Sequence, residues 1–593
     1  MAKHSFFDLL GGYSTTRDTG KQFVSREISG SMTQGMRRFL SARIFAVGRA
    51  VSDFFSHVAS RAYGAAMLSF GLLALLLHFV GVYPDESVAN PIIAAMLSII
   101  SVPLLLSEKP LPLLLQDFAV TDYMFFEFFC IKRFNRMESG RKFPIFAALL
   151  IGALLAVLGI AFPVWQIVLA VVSLAFLYVS FVSPEFAFFT TFLLMPYLDR
   201  ISSSEVLLCI LITVSTLSFF RKVLYGKRVI NLEQYDLLFA AMIFMILLSG
   251  IFVKGVESFK WSVEMLIMTA GYILASNIIT NRRIAERSMN SIVISSLPPS
   301  VISIVTFVRA VLDGEAASLV DRGIGSTFSS PDILAVFLIV AIVFSVAMVK
   351  STHNSVKLLY IAAIAINSVA LVLTGELFAV LALLLGIVAY SAIKGNRWAM
   401  LLPLLLFLPY ALLLLPASLL DRAFAVIPSL SSVHETLSLW SLCFSVFLDN
   451  IFVGIGIGKE CFAEEMVQHG VVGFENSSNL FLELGLEAGA LALVCFLLLL
   501  LVRLRHRVRY YPYIKNSELS KISPMSEICI FCLIAYGAYS YIWADTSMYY
   551  LFCCVFGIAS ATLRVARKEY NDRIFYYEDT RASDSSVVDV EII

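Results

Sequence analysis

Asn479, Glu483 and Glu487 recur at four-residue spacing in the stretch ENSSNLFLELGLEAG. On an α-helix that spacing stacks them along one face, and the residues between and after them belong to a long apolar run. A carboxylate carried into an apolar span is expensive to desolvate and reads by default as functional, through acid–base or ion-pairing chemistry. The plainer alternative is that Glu483 caps the helix or pairs with a buried cation for packing. Other reactive side chains form no comparable pattern. Most of the nine cysteines, Cys529-Ile-Phe-Cys532 among them, lie inside apolar runs where they act as small hydrophobes, and the seven histidines are dispersed. Asp313-Gly-Glu315 is too weak to argue a metal site, so neither a metal nor a cofactor is expected.

These residues must be positioned by membrane helices. The chain is 59% hydrophobic with only 15% charged residues, and its mean hydropathy is +0.85. A helix needs about 20 apolar residues to cross the hydrocarbon core, and such runs follow one another almost from end to end. The expected fold is all-α, a polytopic bundle of about 14–16 transmembrane helices with one long external loop. The runs include a short one at 184–198, one at 398–416, one beginning near 478, and a closing pair at 526–544 and 546–564. A net charge of +1 gives no reason to expect a nucleic-acid partner.

Basic clusters fix the expected orientation. They fall at the N-terminus, at Lys132/Arg133/Arg136, Arg221/Lys222/Lys227/Arg228, Arg282/Arg283/Arg287, Lys394/Arg397, Arg503/Arg505/Arg507/Arg509 and Arg564/Arg567/Lys568. With sixteen spans all of them lie on one side, which the positive-inside rule makes cytoplasmic, along with both termini. The expected organisation is a cytoplasmic amphipathic region over 1–61, a first group of spans over 62–234, a second over 235–566, and an acidic tail over 567–593 without regular structure.

Two segments expected outside are too patterned to be mere connectors. One is 312–330, LDGEAASLVDRGIGSTFSS. The other is 417–477, where Arg422 and Lys459 are set against Asp421, Glu435, Asp449, Glu460, Glu464, Glu465 and Glu475. Its apolar stretch LSLWSLCFSVF has helical character, and Gly454, Gly456 and Gly458 punctuate a tight backbone path that lacks the strand a dinucleotide site would need.

At this point the sequence resembles the O-antigen ligase / O-unit polymerase superfamily of bacterial glycan-assembly membrane proteins. Three blocks carry the resemblance, in the family's order and over roughly 235–500. Arg322-Gly-Ile-Gly-Ser-Thr327-Phe328-Ser-Ser-Pro331-Asp-Ile-Leu-Ala resembles the family's R-x-x-G-T-F-x-N/S-P-x-x-L-A, with one extra residue before the Thr. Gly456, Gly458 and Phe462 resemble G-x-G-x-x-x-F, and Ser478-Asn479-Leu-Phe-Leu-Glu483 through Glu487-Ala-Gly489 resembles H-N-L-Y-L-E/Q-x-x-x-E-x-G. The chain departs from the family at Ser478, where a His is usual, and at Thr374-Gly-Glu376-Leu-Phe, where T-x-S-R-G is usual.

The resemblance implies a multi-pass protein of the bacterial cytoplasmic membrane that joins a polyprenyl-pyrophosphate-linked glycan (undecaprenyl pyrophosphate as carrier) to a glycan acceptor, as ligase or polymerase. Pyrophosphate leaves without general-acid help, so cations are the main requirement. Arg pairs bidentately with phosphate and never deprotonates, making Arg322 the first candidate and Arg309 and Arg422 weaker ones, each of which also suits a headgroup anchor. Thr327, Ser478 and Asn479 complete the expected substrate-binding set. With Ser478 in place of the His, the candidate base for the acceptor hydroxyl is Glu483, followed by His434 and His469, whose plainer reading is that of solvated loop residues. A transporter or flippase of lipid-linked glycans is the rival reading, and a non-catalytic glycan-binding relative is a third.

Overall fold

The structure is a computed structural model. It describes residues 57–588 apart from 84–88, 132, 134–142, 199–203, 225–227, 229, 232, 234, 254, 314–322, 352–353, 394–430, 516–518 and 520, with the backbone alone at 89, 204, 354–355, 391–393, 431–435, 510–515 and 570–588. The amphipathic stretch before residue 57, the expected span 398–416, Arg322 and Arg422 lie outside the described residues.

Among the described residues every regular element is helical, and the one β contact is an isolated bridge between Ala59 and Pro110. The longer helices are α1 (Ser60–Phe79), α2 (Ala89–Leu105), α3 (Ile145–Leu158), α4 (Val164–Val182), α5 (Pro184–Leu198), α6 (Ser204–Leu224), α7 (Asp236–Phe252), α8 (Val256–Ile278) and α9 (Arg282–Asp313). They continue with α10 (Pro331–Ser351), α11 (Asn354–Leu373), α12 (Leu377–Ile393), α13 (Ser431–Asp449), α14 (Lys459–Gln468), α15 (Leu480–Lys515), α16 (Ser523–Gly537) and α17 (Thr546–Val588). Among the described residues, eight helices are long and apolar enough to cross a membrane, and six shorter apolar helices accompany them. The chain is an all-α, multi-pass membrane bundle.

Two differences from the sequence reading matter. The run 526–544 is not one span, because α16 ends at Gly537 and residues 538–545 form an irregular loop before α17. The tail expected to lack regular structure continues α17 as a helix through Val588.

The chain divides into two compact units, Met1–Ala187 with Leu217–Val229, and Phe188–Thr216 with Ile230–Ile593. In the first, α1 lies against α2 and α3 at positions where small residues admit close approach: a Cβ on Gly64 would stand 2.7 Å from the Leu105 nitrogen. Its buried carboxylate, Glu185, is held by Lys222 Nζ at 2.7 Å and by Arg228.

The second unit is built around helices that are apolar on every side. The apolar windows of α10 and α17 are 78% and 94% buried, the pattern expected of interior helices. α9 contributes a stripe of buried serines. Ser300 Oγ donates to Asn367 Oδ1 at 2.8 Å and Asn367 Nδ2 donates to Ser296 Oγ at 2.8 Å, which clamps α9 to α11.

The helices of this unit run back and forth so that two sets of ends collect separately. One set joins Arg282 to Ser351, Arg503 to Glu527 and Ser560, Arg507 to Ser523, and Arg564 to the Ser276 carbonyl. The other gathers the loops at 323–330, 374–376, 449–479 and 538–545. The first is the basic end and the second the loop-rich end.

Candidate functional site

The site is built on a break in α15. Gly489 has φ 81° and ψ 171°, a conformation outside the helical region, so the helix is interrupted two residues after Glu487. The break frees backbone groups that must find partners. Ile455 N donates to the Leu486 carbonyl at 2.7 Å, Ala490 N donates to the Ile451 carbonyl at 2.7 Å, and Ser249 Oγ donates to the Glu487 carbonyl. The segment after α13 therefore threads into the gap, and a side chain at Gly489 would put its Cβ 2.5 Å from the Phe452 carbonyl oxygen.

The G-x-G-x-G run continues from that gap to the start of α14. Ile457 N donates to Ser258 Oγ at 2.9 Å and Gly458 N donates to Glu487 Oε1 at 3.0 Å. Gly458 has φ 110°, and a Cβ there would stand 2.6 Å from Trp261 Cδ1, so only glycine brings this N–H to the carboxylate. Glu487 thus caps the N-terminal end of α14, where an acid is favoured. Its second oxygen accepts from Tyr541 Oη at 2.6 Å. In the loop after α16, burial raises the Tyr541 pKa, with the neighbouring Glu487 charge adding to it, so the phenol remains a donor.

Glu483 lies one turn earlier on α15 and accepts from the Ser477 N–H at 2.6 Å. Both carboxylates are buried, 1% exposed for Glu483 and 3% for Glu487. Among the described residues neither makes an ion pair. They line one small pocket with Trp261, Gly458, Tyr541 and Trp543. Lys459 and Glu475, also at its wall, pair with each other at 2.9 Å and are largely solvent-exposed. The enclosed space amounts to about one water molecule.

The remaining expected site residues separate. Asn479 does not share the Glu483 face: its Oδ1 accepts from the Phe481 and Leu482 N–H groups at 3.0 and 3.2 Å, and its Nδ2 donates to the Ala538 carbonyl at 2.8 Å. It is the cap that starts α15 and ties it to the 538–545 loop. Ser478 precedes the helix at φ 51° with its N–H turned to Asn476 Oδ1. Thr327 is buried, and its hydroxyl finds no partner among the described residues. The adjoining Ile324 N–H donates to the Leu373 carbonyl at 3.1 Å, which docks the 323–330 segment on the Thr374-Gly-Glu376 turn. Tyr536 Oη then reaches Glu376 Oε2 at 3.2 Å, and Phe378 stacks on Tyr539 at 3.3 Å. The three blocks and the altered T-G-E turn are thereby all tied to the end of α16 and the 538–545 loop.

His469 ends α14, facing Glu465 at 3.7 Å. That is ten residues, or about 15 Å of helix, from the Gly458 end that touches the pocket. His434 lies in the first turn of α13, where the backbone alone is described. Arg309 is exposed near the end of α9.

Sequence reasoning missed Tyr541 and Trp543. Both sit at the end of the run 526–544, which reads as one apolar span rather than as a helix followed by a loop carrying a phenol and an indole N–H. Set against known proteins, the chain matches no protein-family model and no curated protein.

Proposed function

We propose that the chain joins a polyprenyl-pyrophosphate-linked glycan to a glycan acceptor at the non-cytoplasmic face of a bacterial cytoplasmic membrane. One observation carries the reading: two buried carboxylates, Glu483 and Glu487, have no cation partner among the described residues and stand beside an indole-walled pocket to which the three glycan-assembly-like blocks are tied. Burying uncompensated charge is costly, and a protein that retains such groups at a pocket has a use for them. In the reaction the acceptor hydroxyl oxygen attacks the anomeric carbon and the new glycosidic C–O bond forms. The bond to pyrophosphate breaks, polyprenyl pyrophosphate leaves with the electron pair, and the hydroxyl proton passes to Glu483. Glu487, held by Gly458 and Tyr541, keeps the second carboxylate fixed one turn away. Arg322, Arg309 and Arg422 are the proposed phosphate-pairing cations.

Glu483→Gln tests it, because Gln keeps the shape and removes the base. Expressed in a deletion strain at normal protein level, the variant should cut glycan joining by about 10²–10⁴-fold, read as the amount, length and lipid linkage of surface polysaccharide. Normal polysaccharide from that variant sinks the proposal. The orientation is tested by an impermeant thiol reagent on single cysteines at Ser318 and Gly473 in a cysteine-free background. Labelling only after lysis would reverse it.

The break in α15 favours a second reading, since interrupted helices with polar groups at the gap are typical of transporters. The two readings leave different residues in a deletion strain. Loss of joining strands the lipid-linked glycan outside, where impermeant periodate oxidises it in intact cells, and loss of transport strands it inside.

A further inference from the structure

Trp543 is a wall of the pocket whose buried polar atom has no partner among the described residues. The ring is 1% exposed and held edge-on by Phe496, Tyr549 and Phe552, at centroid distances of 5.3, 5.1 and 5.3 Å. Its Nε1–H is buried and has no acceptor among the described residues. An unpaired buried donor is costly, and a ring packed on three sides cannot turn to relieve it. Trp543, whose indole N–H lacks an acceptor among the described residues, and the two carboxylates, which lack a cation among them, line the same pocket. Glu487 already accepts from Gly458 and Tyr541, whereas Glu483 accepts from Ser477 among the described residues.

We propose that this pocket is the binding site for one hydroxyl group of the acceptor sugar, which accepts a hydrogen bond from Trp543 Nε1–H and donates its own proton to Glu483. The inference rests on the reading given under Proposed function and names the acceptor side of it. A hydroxyl is both donor and acceptor, so a single group answers both needs. A phosphate brings acceptors only and would meet two carboxylates, and an ammonium brings donors only and leaves the indole N–H unpaired. The size agrees as well, since the enclosed space of about one water molecule suits a hydroxyl and excludes a sugar ring. The ring of the acceptor then lies outside, towards the exposed Lys459–Glu475 pair at the pocket wall.

The test uses the full-length protein in nanodiscs with ¹⁵N-indole label. The chain has five tryptophans, and Trp543→Phe identifies the Nε1–H signal of Trp543 by its loss. The probes are methyl glycosides of glucose, galactose and mannose, with tetrahydropyran as the ring that lacks hydroxyls. A downfield shift of the Trp543 signal with at least one glycoside, absent with tetrahydropyran and reduced severalfold in Glu483→Gln, is the expected result. No response to any glycoside, or a response equal to that of tetrahydropyran or undiminished in Glu483→Gln, overturns the hydroxyl site. The two readings fail separately. If Trp543 responds while Glu483→Gln cells join glycan normally, the joining reaction falls and a hydroxyl-binding pocket remains. If Trp543 is silent while Glu483→Gln abolishes joining, the reaction stands and this site for the acceptor falls.

Discussion

At the basic end of the second unit, Glu527 is met by Arg503 through two parallel bonds of 3.1 and 2.9 Å. The same guanidinium donates to Ser560 Oγ at 2.8 Å and lies 4.1 Å from the centre of the Phe556 ring. Glu286 is likewise held by Arg282 at 2.8 Å. At the loop-rich end, Glu483 and Glu487 are buried as deeply as Arg503 and are met by backbone N–H groups and a phenol. Glu376, half-buried there, is met by a phenol alone. Glu527 and Glu286 are halves of ion pairs that fasten helices. Glu483, Glu487 and Glu376 are met among the described residues by neutral donors that satisfy oxygen atoms. The difference separates structural acids from acids available to a substrate, and it can be tested from both sides.

The largest effect is expected where charge is paired. Arg503→Ala leaves Glu527 uncompensated with only 12% of its side chain exposed, and breaking a buried pair in this way costs about 3–5 kcal/mol. The variant should unfold well below the wild type in detergent, or fail to accumulate. The double variant Arg503→Met with Glu527→Met should recover most of that loss, because an apolar pair of similar size removes the stranded charge. If Arg503→Ala were as stable as the wild type, the basic end would not be held by its ion pairs and the contrast would dissolve.

The loop-rich end is held by backbone geometry, so glycine should be its weak point. Gly458→Ala asks for a Cβ at φ 110° and within 2.6 Å of Trp261, a conformational cost of about 1–3 kcal/mol before the clash is counted. Gly470→Ala is the control: its φ is 77°, but nothing lies within 4 Å of the added carbon. Both variants should lower Tm, and Gly458→Ala alone should also abolish the Trp543 indole response to glycosides. Equal losses in the two variants would mean that the approach of Gly458 to Trp261 and Glu487 contributes nothing of its own.

How much of this was legible follows from what hydropathy records. α10 begins at Pro331 as the sequence reading expects, because a proline at the first helical position and an unbroken apolar run mark it from both directions. The basic clusters name the end at which the arginines gather, since charge is visible residue by residue. The carboxylates Glu483 and Glu487 stood out for the same reason, as charges in an apolar run. The role of Asn479 was misread because a helical spacing was counted from a residue that precedes the helix; an Asn just before an apolar run is a cap signal and could have been weighed as one. The end of α16 at Gly537 was not legible. Ala538-Tyr-Ser-Tyr-Ile-Trp-Ala is apolar enough to continue a span, and what stops it is tertiary: the Ala538 carbonyl is taken by Asn479, and Tyr541 is drawn to Glu487 from 54 residues away in sequence. Long-range partners leave no mark on the local pattern.

The smallest effect is expected at Glu376, and it sharpens the comparison because this acid stands in a turn between helices and has a titration that can be followed. Burial raises its pKa above the ordinary carboxyl value and the nearby Asp332 adds to the rise, while the hydrogen bond from Tyr536 opposes it. The folded chain therefore holds this proton more tightly than the unfolded chain does. Below the unfolded value of about 4.3 both states are protonated and the stabilisation is fully present. As pH rises the unfolded chain ionises first, and stability is lost progressively until the folded carboxyl has ionised as well. Glu376→Gln removes the titration while keeping an oxygen for Tyr536. Its Tm should match that of the wild type near pH 4 and exceed it as pH approaches neutrality, by on the order of a degree. An arginine partner at the same place would reverse the sign, with the wild type gaining on Glu376→Gln as pH rises. A Tm difference that stays constant with pH, or that turns against the Gln variant, would show that Glu376 is compensated after all and belongs with the paired acids.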